Sequence, residues 1–187
     1  MSKGNIYVIS GPSGVGKGTV VREVVDSSDT IALSVSATTR KPREGEIDKV
    51  HYFFLSEEEF EKIADEDGFL EHAVYCGNHY GTPKQAVLDK VAEGYDVILE
   101  IEVQGGVQIM EKLPEAKGIF ILPPSYKVLE KRLRGRKSEP DDVVKKRLET
   151  AREEIKQSYL YDYFVVNAEL ELAVEKVLEI IRNNRED

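Results

Sequence analysis

The chain has 187 residues, 41% of them hydrophobic and 33% charged, with 26 basic against 35 acidic side chains for a net charge of −9. That is apolar material for one packed domain with lobes, and it excludes a disordered or fibrous chain. The acidic balance argues against a broad footprint on a nucleic acid polymer, and no apolar stretch approaches the roughly 18 residues of a membrane span. A single cysteine, Cys76, cannot form an internal disulfide, and three scattered histidines have no metal-ligand spacing. Strand-like sequence begins at Asn5, leaving no space for a leader, so the expected setting is cytoplasmic.

In chain order, Ile6 to Ser10 is a short apolar run with β-branched residues that reads as a buried strand. A glycine-rich turn follows at once and leads into a helix from about Gly16 to Ser27. From about Ser34 to Thr82 the rhythm changes to short strand-like pieces, Tyr52 to Leu55 and Phe69 to Val74, and a helix opening at Ser56. Ser56 and Glu59 have capping-box spacing, and Glu57 to Glu59 suit a helix N-terminus rather than a metal. Asp96 to Ile101, Gly118 to Leu122 and Tyr163 to Val166 are further buried-strand runs separated by helical patterns. Val144, Leu148, Ala151 and Ile155 share one helix face, as do Leu170, Val174, Val177, Leu178 and Ile181. Alternating strands and helices predict an α/β core with a parallel sheet flanked by helices. The expected division is a core of 1–33 and 84–187, a small α+β lobe of 34–83 inserted in it, and a polar lid of about 134–147. Between Lys131 and Arg147 stand eight basic residues against three acids, and Arg40, Lys41 and Arg43 form a second basic cluster. Local positive sites on an acidic protein suit small anions.

The turn after the first strand reads Gly11, Pro12, Ser13, Gly14, Val15, Gly16, Lys17, Gly18, Thr19. It fits the G-x-x-x-x-G-K phosphate loop, in which backbone N–H groups and a helix N-terminus converge on phosphate oxygens. This is the expected ATP site, with Lys17 reaching the β and γ phosphates. Ser or Thr normally follows the lysine and ligates magnesium; here the residue is Gly18, with Thr19 about 100° further round the helix. The Lys-Gly-Thr ending resembles that of adenylate kinases, so phosphoryl transfer is compatible with the change. Magnesium is then expected with ATP, held chiefly by phosphates and water, and a direct protein ligand is left open between Thr19 and Glu100. Val97 to Glu102 looks like a second phosphate-loop element, an apolar strand ending in acid. Alternation along such a strand places Glu100 and Glu102 on one face.

Ser34-Val35-Ser36-Ala37-Thr38-Thr39-Arg40-Lys41-Pro42-Arg43-Glu44-Gly45-Glu46, followed by Tyr52, resembles the guanylate kinase family. Further matches are Glu71, Gly77 to Thr82, Gln104-Gly105, Pro123-Pro124-Ser125, Gly135-Arg136, Lys146-Arg147 and Val166-Asn167, in order and at family spacing from Asn5 to Ile181. The resemblance implies a phosphate-loop NTPase core and transfer of the ATP γ-phosphoryl group to GMP. Glu71 and Ser36 then read guanine, with Glu102 near the exocyclic amine and Thr82 assisting. A carboxylate accepting from N1–H and N2–H, with a hydroxyl donating to O6, is a pattern that adenine cannot satisfy. The resemblance further implies that Arg40 and Arg43 fork onto the GMP phosphate with the Tyr52 and Tyr80 hydroxyls. Lys17, Arg136 and Arg147 become the catalytic cations, the two arginines delivered by lid closure. Glu102, like Glu100, stands where many relatives carry Asp. ATP and GMP are the implied partners, with no nucleic acid and no membrane, on a monomer or homodimer.

Two other readings share parts of this pattern. Some ribose bisphosphate phosphokinases have the same fold and loop but no need of Ser36, Glu71 and Glu102. Guanylate-kinase-like scaffold modules bind phosphorylated peptides and generally lack an intact phosphate loop, whereas Gly11, Gly14, Gly16 and Lys17 are all present here.

Overall fold

The computed structural model describes residues 3–75, 77–135 and 140–185. Ile6–Ser10 forms β1, buried along its whole length, and the glycine loop leads into α1, Lys17–Asp26. After β2 (Ile31–Leu33) come β3 (Ala37–Thr38), β4 (Phe53–Phe54), α2 (Glu57–Asp65), β5 (Phe69–Tyr75) and β6 (Asn78–Pro83). The chain continues through α3 (Lys84–Ala92), β7 (Asp96–Glu100), α4 (Val103–Lys112), β8 (Lys117–Leu122) and α5 (Tyr126–Gly135). It closes with α6 (Asp141–Lys156), β9 (Tyr163–Val166) and α7 (Leu170–Arg185).

One sheet has the order β2-β7-β1-β8-β9, and every neighbouring pair in it is parallel. Val8 is opposite Leu99 on one side and Gly118 on the other, so β1 is enclosed by strands that are themselves buried. Both faces are covered, as parallel sheets require. Tyr7, Ile9, Ile98, Ile119 and Ile121 pack with α1 and α7 through Val20, Val24, Val177 and Ile181. Val8, Val97, Leu99 and Phe120 pack on the opposite face with Val87, Val91, Val103 and Ile109 from α3 and α4. The expected stripe on α6 is buried at Val144, Leu148 and Ala151, which meet Leu129 and Leu133 of α5 in a separate small core.

Residues 37 to 83 build a second sheet of order β4-β3-β6-β5, with β3 parallel to β4 and the other pairings antiparallel. Its core is Ala37, Phe60 and Phe69, and the two phenyl rings stack at 4.3 Å. The capping box forms as the spacing predicts: Glu59 N–H donates to Ser56 Oγ at 3.1 Å, and Ser56 N–H to Glu59 Oε2 at 2.7 Å. The helix after the loop runs Lys17–Asp26 between a left-handed N-cap at Gly16 and a C-cap at Ser27, as the sequence predicts. One expectation needs correction. The strand expected to carry both Glu100 and Glu102 on one core face ends at Glu100, and Glu102 is the N-cap of α4. Glu100, at the strand's last position, and Glu102, past it, are both exposed, whereas the buried carboxylate of the same strand, Asp96, is partnered by Asn5 N–H and Arg185.

Phe60 is 1% exposed and joins α2 to the second sheet. Phe60→Ala is expected to remove about 3 to 5 kcal/mol of stability in urea unfolding. A loss under about 1 kcal/mol would contradict this packing.

Candidate active site

The glycine loop leaves β1 at the carboxyl edge of the parallel sheet, where open α/β sheets place their ligands. Gly14 (φ 84°) and Gly16 (φ 92°) both take left-handed backbone, which turns the intervening amides toward one concavity. Val15 N–H donates to Pro12 C=O at 3.1 Å, while Thr19 and Val20 N–H both donate to Gly16 C=O at 3.2 Å and start α1. On the outer side, the Val15 carbonyl accepts from Arg132 Nη1 at 3.0 Å and Asn167 Nδ2 at 2.9 Å. At Gly18, the departure from the usual Ser or Thr, a Cβ would lie 3.2 Å from Glu100 Oε1, a close contact with the end of an exposed side chain. The carboxylate of Glu100 occupies space beside the helix N-terminus, and Thr19 is exposed one position on.

Lys17 is the first residue of α1. Its Nζ donates to Ile101 C=O at 2.9 Å and lies 3.8 Å from Glu102 Oε1, with 11% of the lysine side chain exposed against 76% of the glutamate. From α6, Arg147 Nη2 donates to Ser13 Oγ at 2.7 Å. Glu154, two turns further along the same helix, is a carboxylate raised above its usual range by burial and by Glu102, with Ser13 N–H and Lys17 acting the other way. Arg147 thus already touches the loop. Arg136 lies outside the described residues, as does Cys76.

The loop end opens into a cleft of about 920 Å³ whose far wall is the second sheet. Glu71 on β5 accepts from the Thr82 hydroxyl on the paired strand β6 at 2.9 Å, and Thr82 is buried. Burial pushes the Glu71 carboxyl up, with the Thr82 hydroxyl the strongest opposing influence. Gly105 of α4 lies beside this pair; a Cβ there would crowd Ile101 at 3.1 Å and meet Glu71 Oε2 at 3.4 Å. Ser36, Tyr52 and Tyr80 line the same cleft, with the two tyrosine rings edge-on at 6.2 Å.

Arg40 stacks over Tyr52 at 5.5 Å and hydrogen bonds Tyr80. Its fork is engaged by Glu46, with Nη1 to Oε2 at 3.0 Å and Nη2 to Oε1 at 2.8 Å. That pairing, with the Arg43 N–H at 2.6 Å, holds the Glu46 carboxyl down at about 2. Glu46 therefore holds the Arg40 guanidinium and the Arg43 backbone N–H around one loop; neither of the two arginines expected at the phosphate is among the residues lining the cleft, and the Arg43 side chain is exposed.

Ser13, Ser36, Tyr52, Glu71, Tyr80, Thr82, Glu102 and Arg147 thus meet in one cleft, with Lys17 bonded to its wall at Ile101. Sequence reasoning did not single out Glu154, Thr150 or Gln108, which also line it, nor Arg132, which braces the loop from behind. A helical spacing signal existed for Glu154, seven residues after Arg147 on the same face. Among the described residues, no three His, Cys, Asp or Glu side chains cluster as a metal site. No helix among them is long and apolar enough to cross a membrane.

A family model described as "Guanylate kinase" matches residues 3–184. A guanylate kinase of Neisseria gonorrhoeae is 51% identical over 96% of this chain and 87% of its own length. One from Clostridioides difficile is 48% identical over 99% and 90%. The crystal structure of guanylate kinase from Anaplasma phagocytophilum superposes with a TM-score of 0.76 at 34% identity, covering 100% of this chain and 88% of that one. With the glycine loop and the Glu71–Thr82 pair opening on one cleft, and similarity of this extent, the chain belongs to the guanylate kinase family.

Proposed function

We propose that this chain transfers the γ-phosphoryl group of ATP to GMP, giving ADP and GDP. The observation that carries the reading is that a glycine loop with two left-handed glycines and a part-buried carboxylate–hydroxyl pair border one cleft. In this reading ATP lies on Gly11 to Thr19, and GMP lies against the second sheet. Glu71 accepts from guanine N1–H and N2–H, Thr82 holds that carboxylate, and Ser36 donates to O6. Glu102 stands near the exocyclic amine. Arg40, Arg43, Tyr52 and Tyr80 take the GMP phosphate, with Glu46 keeping the Arg40 guanidinium oriented.

An oxygen of the GMP phosphate attacks the γ-phosphorus in line, and the bond from that phosphorus to the β–γ bridging oxygen breaks, leaving ADP. The attacking oxygen is already anionic at neutral pH, so no general base is needed. Catalysis is positioning and charge neutralisation. Lys17 would exchange its bond to the Ile101 carbonyl for the phosphate oxygens, a stronger, charge-assisted partner. Arg147, already at Ser13, needs little movement to reach the transferring group. Arg136 is assigned the same role.

Magnesium fits the site as a hydrated ion held by ATP phosphates. Glu100, in the space left by Gly18, is the carboxylate placed to hold one of its waters, and the ion would spread charge from the β and γ oxygens. We assign 34–83 as the GMP lobe and about 134–147 as the lid on a core of 1–33 and 84–187. Closure would keep water, the competing acceptor, away from ATP. The same reading places the protein in the cytoplasm as a monomer or homodimer acting on free nucleotides.

Two substitutions separate the halves of the cleft. Lys17→Ala should lower kcat by about 100-fold or more while GMP affinity stays within about twofold; near-normal turnover would contradict the loop assignment. Glu71→Ala should lower kcat/KM for GMP by about 100-fold with KM for ATP nearly unchanged. Equal losses for both substrates would contradict its base-reading role.

A further inference from the structure

We infer that Arg132 and Asn167 are positioning residues that lock the Val15–Gly16 peptide and thereby aim the Gly16 N–H into the phosphate cradle. The inference rests on the loop being the ATP site, as proposed above. In a trans peptide the carbonyl and the following N–H point in opposite directions, and no cis bond occurs among the described residues. The Val15 carbonyl is held on the outer side of the loop by two donors from elements distant in sequence, 117 and 152 residues away. Gly16 N–H is thereby turned to the inner side, where a phosphate would sit.

The clamp is itself fixed. Arg132 Nη2 donates to Asn167 C=O at 2.9 Å, so one guanidinium bridges both carbonyls as a fork. Asn167 N–H donates to Leu122 C=O at 2.8 Å, tying it to the end of β8, and Asn167 is 7% exposed. It also packs against the loop: a Cβ on Gly16 would meet Asn167 Nδ2 at 2.7 Å. The Val15 side chain is anchored in the core.

This peptide is the one that needs holding. Gly16 has φ of 92°, and a residue without Cβ adopts negative φ about as readily. A flip of the Val15–Gly16 peptide would therefore cost little locally. It would replace an inward donor by an inward carbonyl, which repels phosphate. The two donors stabilise the receptive orientation before nucleotide arrives, which is preorganisation of an anion site.

Arg132→Lys keeps the charge but cannot bridge two carbonyls, and Asn167→Leu keeps similar volume without the donor. Inorganic tripolyphosphate, used as an inhibitor competitive with ATP, reports on the cradle without any contact to base or ribose. In each variant, KM for ATP and the tripolyphosphate inhibition constant should rise together by about tenfold or more. KM for GMP should stay within about twofold, and the thermal midpoint within about 5 °C.

An unchanged tripolyphosphate constant would overturn the inference, because the residues would then act on another part of ATP. An equal rise for GMP would overturn it as general disruption. If neither variant folds, the unaltered protein decides: the Gly16 amide resonance should be among those shifted most by tripolyphosphate, and an unmoved Gly16 amide overturns the assignment. Tripolyphosphate binding by the unaltered protein needs no GMP turnover, so it also separates failure of the clamp from failure of the proposed reaction.

Discussion

Parallel pairing of β1 with β7 on one side and β8 on the other sets the position of the polar groups at the loop end of the cleft. A strand enclosed in that way has no polar face, and its chain emerges only at the sheet's carboxyl edge. There the glycine loop, the Glu100 carboxylate closing β7 and the Asn167 side chain just beyond β9 come together. Helix α1 starts within that edge, so its unpaired N–H groups add to those of the loop. The same edge receives Arg132 from α5 and Arg147 from α6, both bonded to loop residues. The loop and its supports thus gather where one buried five-residue strand ends.

The cleft has two ends with opposite chemical demands. In the proposed reading, the loop's cations and N–H groups would meet a polyphosphate. At the second sheet, the Glu71 carboxylate, raised by burial, would meet a base edge rich in donors. Separate supports keep the two from collapsing onto each other: Glu71 is engaged by Thr82 across β5 and β6, while Lys17 is engaged by the Ile101 carbonyl after β7. In the proposed reading Lys17 would exchange its carbonyl partner for phosphate oxygens, whereas Thr82 would go on holding Glu71. Arg40 is like Glu71 in this, since its bidentate pairing with Glu46 supports the side chain from behind rather than awaiting exchange.

Much of the fold was readable because its signals are local. β1 is an unbroken apolar run, the loop glycines are adjacent, and the α2 cap spans four residues from Ser56 to Glu59. The faces of α6 and α7 showed in helical spacing because one side of each is buried. The short strands β2, β3 and β6 were not read, since they are stabilised by partners far along the chain rather than by their own two to six residues. Alternation misplaced Glu102 because period-two reasoning assumes the strand continues, and β7 stops at Glu100. The site residues came largely from motif spacing. The Arg132–Asn167 brace could not come that way, because nothing local marks two side chains meeting one carbonyl from 117 and 152 residues away.

The central claim is that one cleft couples ATP cleavage to recognition of guanine. It is tested most directly by following ADP release from ATP and magnesium with GMP, AMP, UMP or buffer alone. The account predicts release that depends on GMP, with AMP, UMP and buffer near background. Equal rates with AMP, or release with no added nucleoside monophosphate, would contradict it.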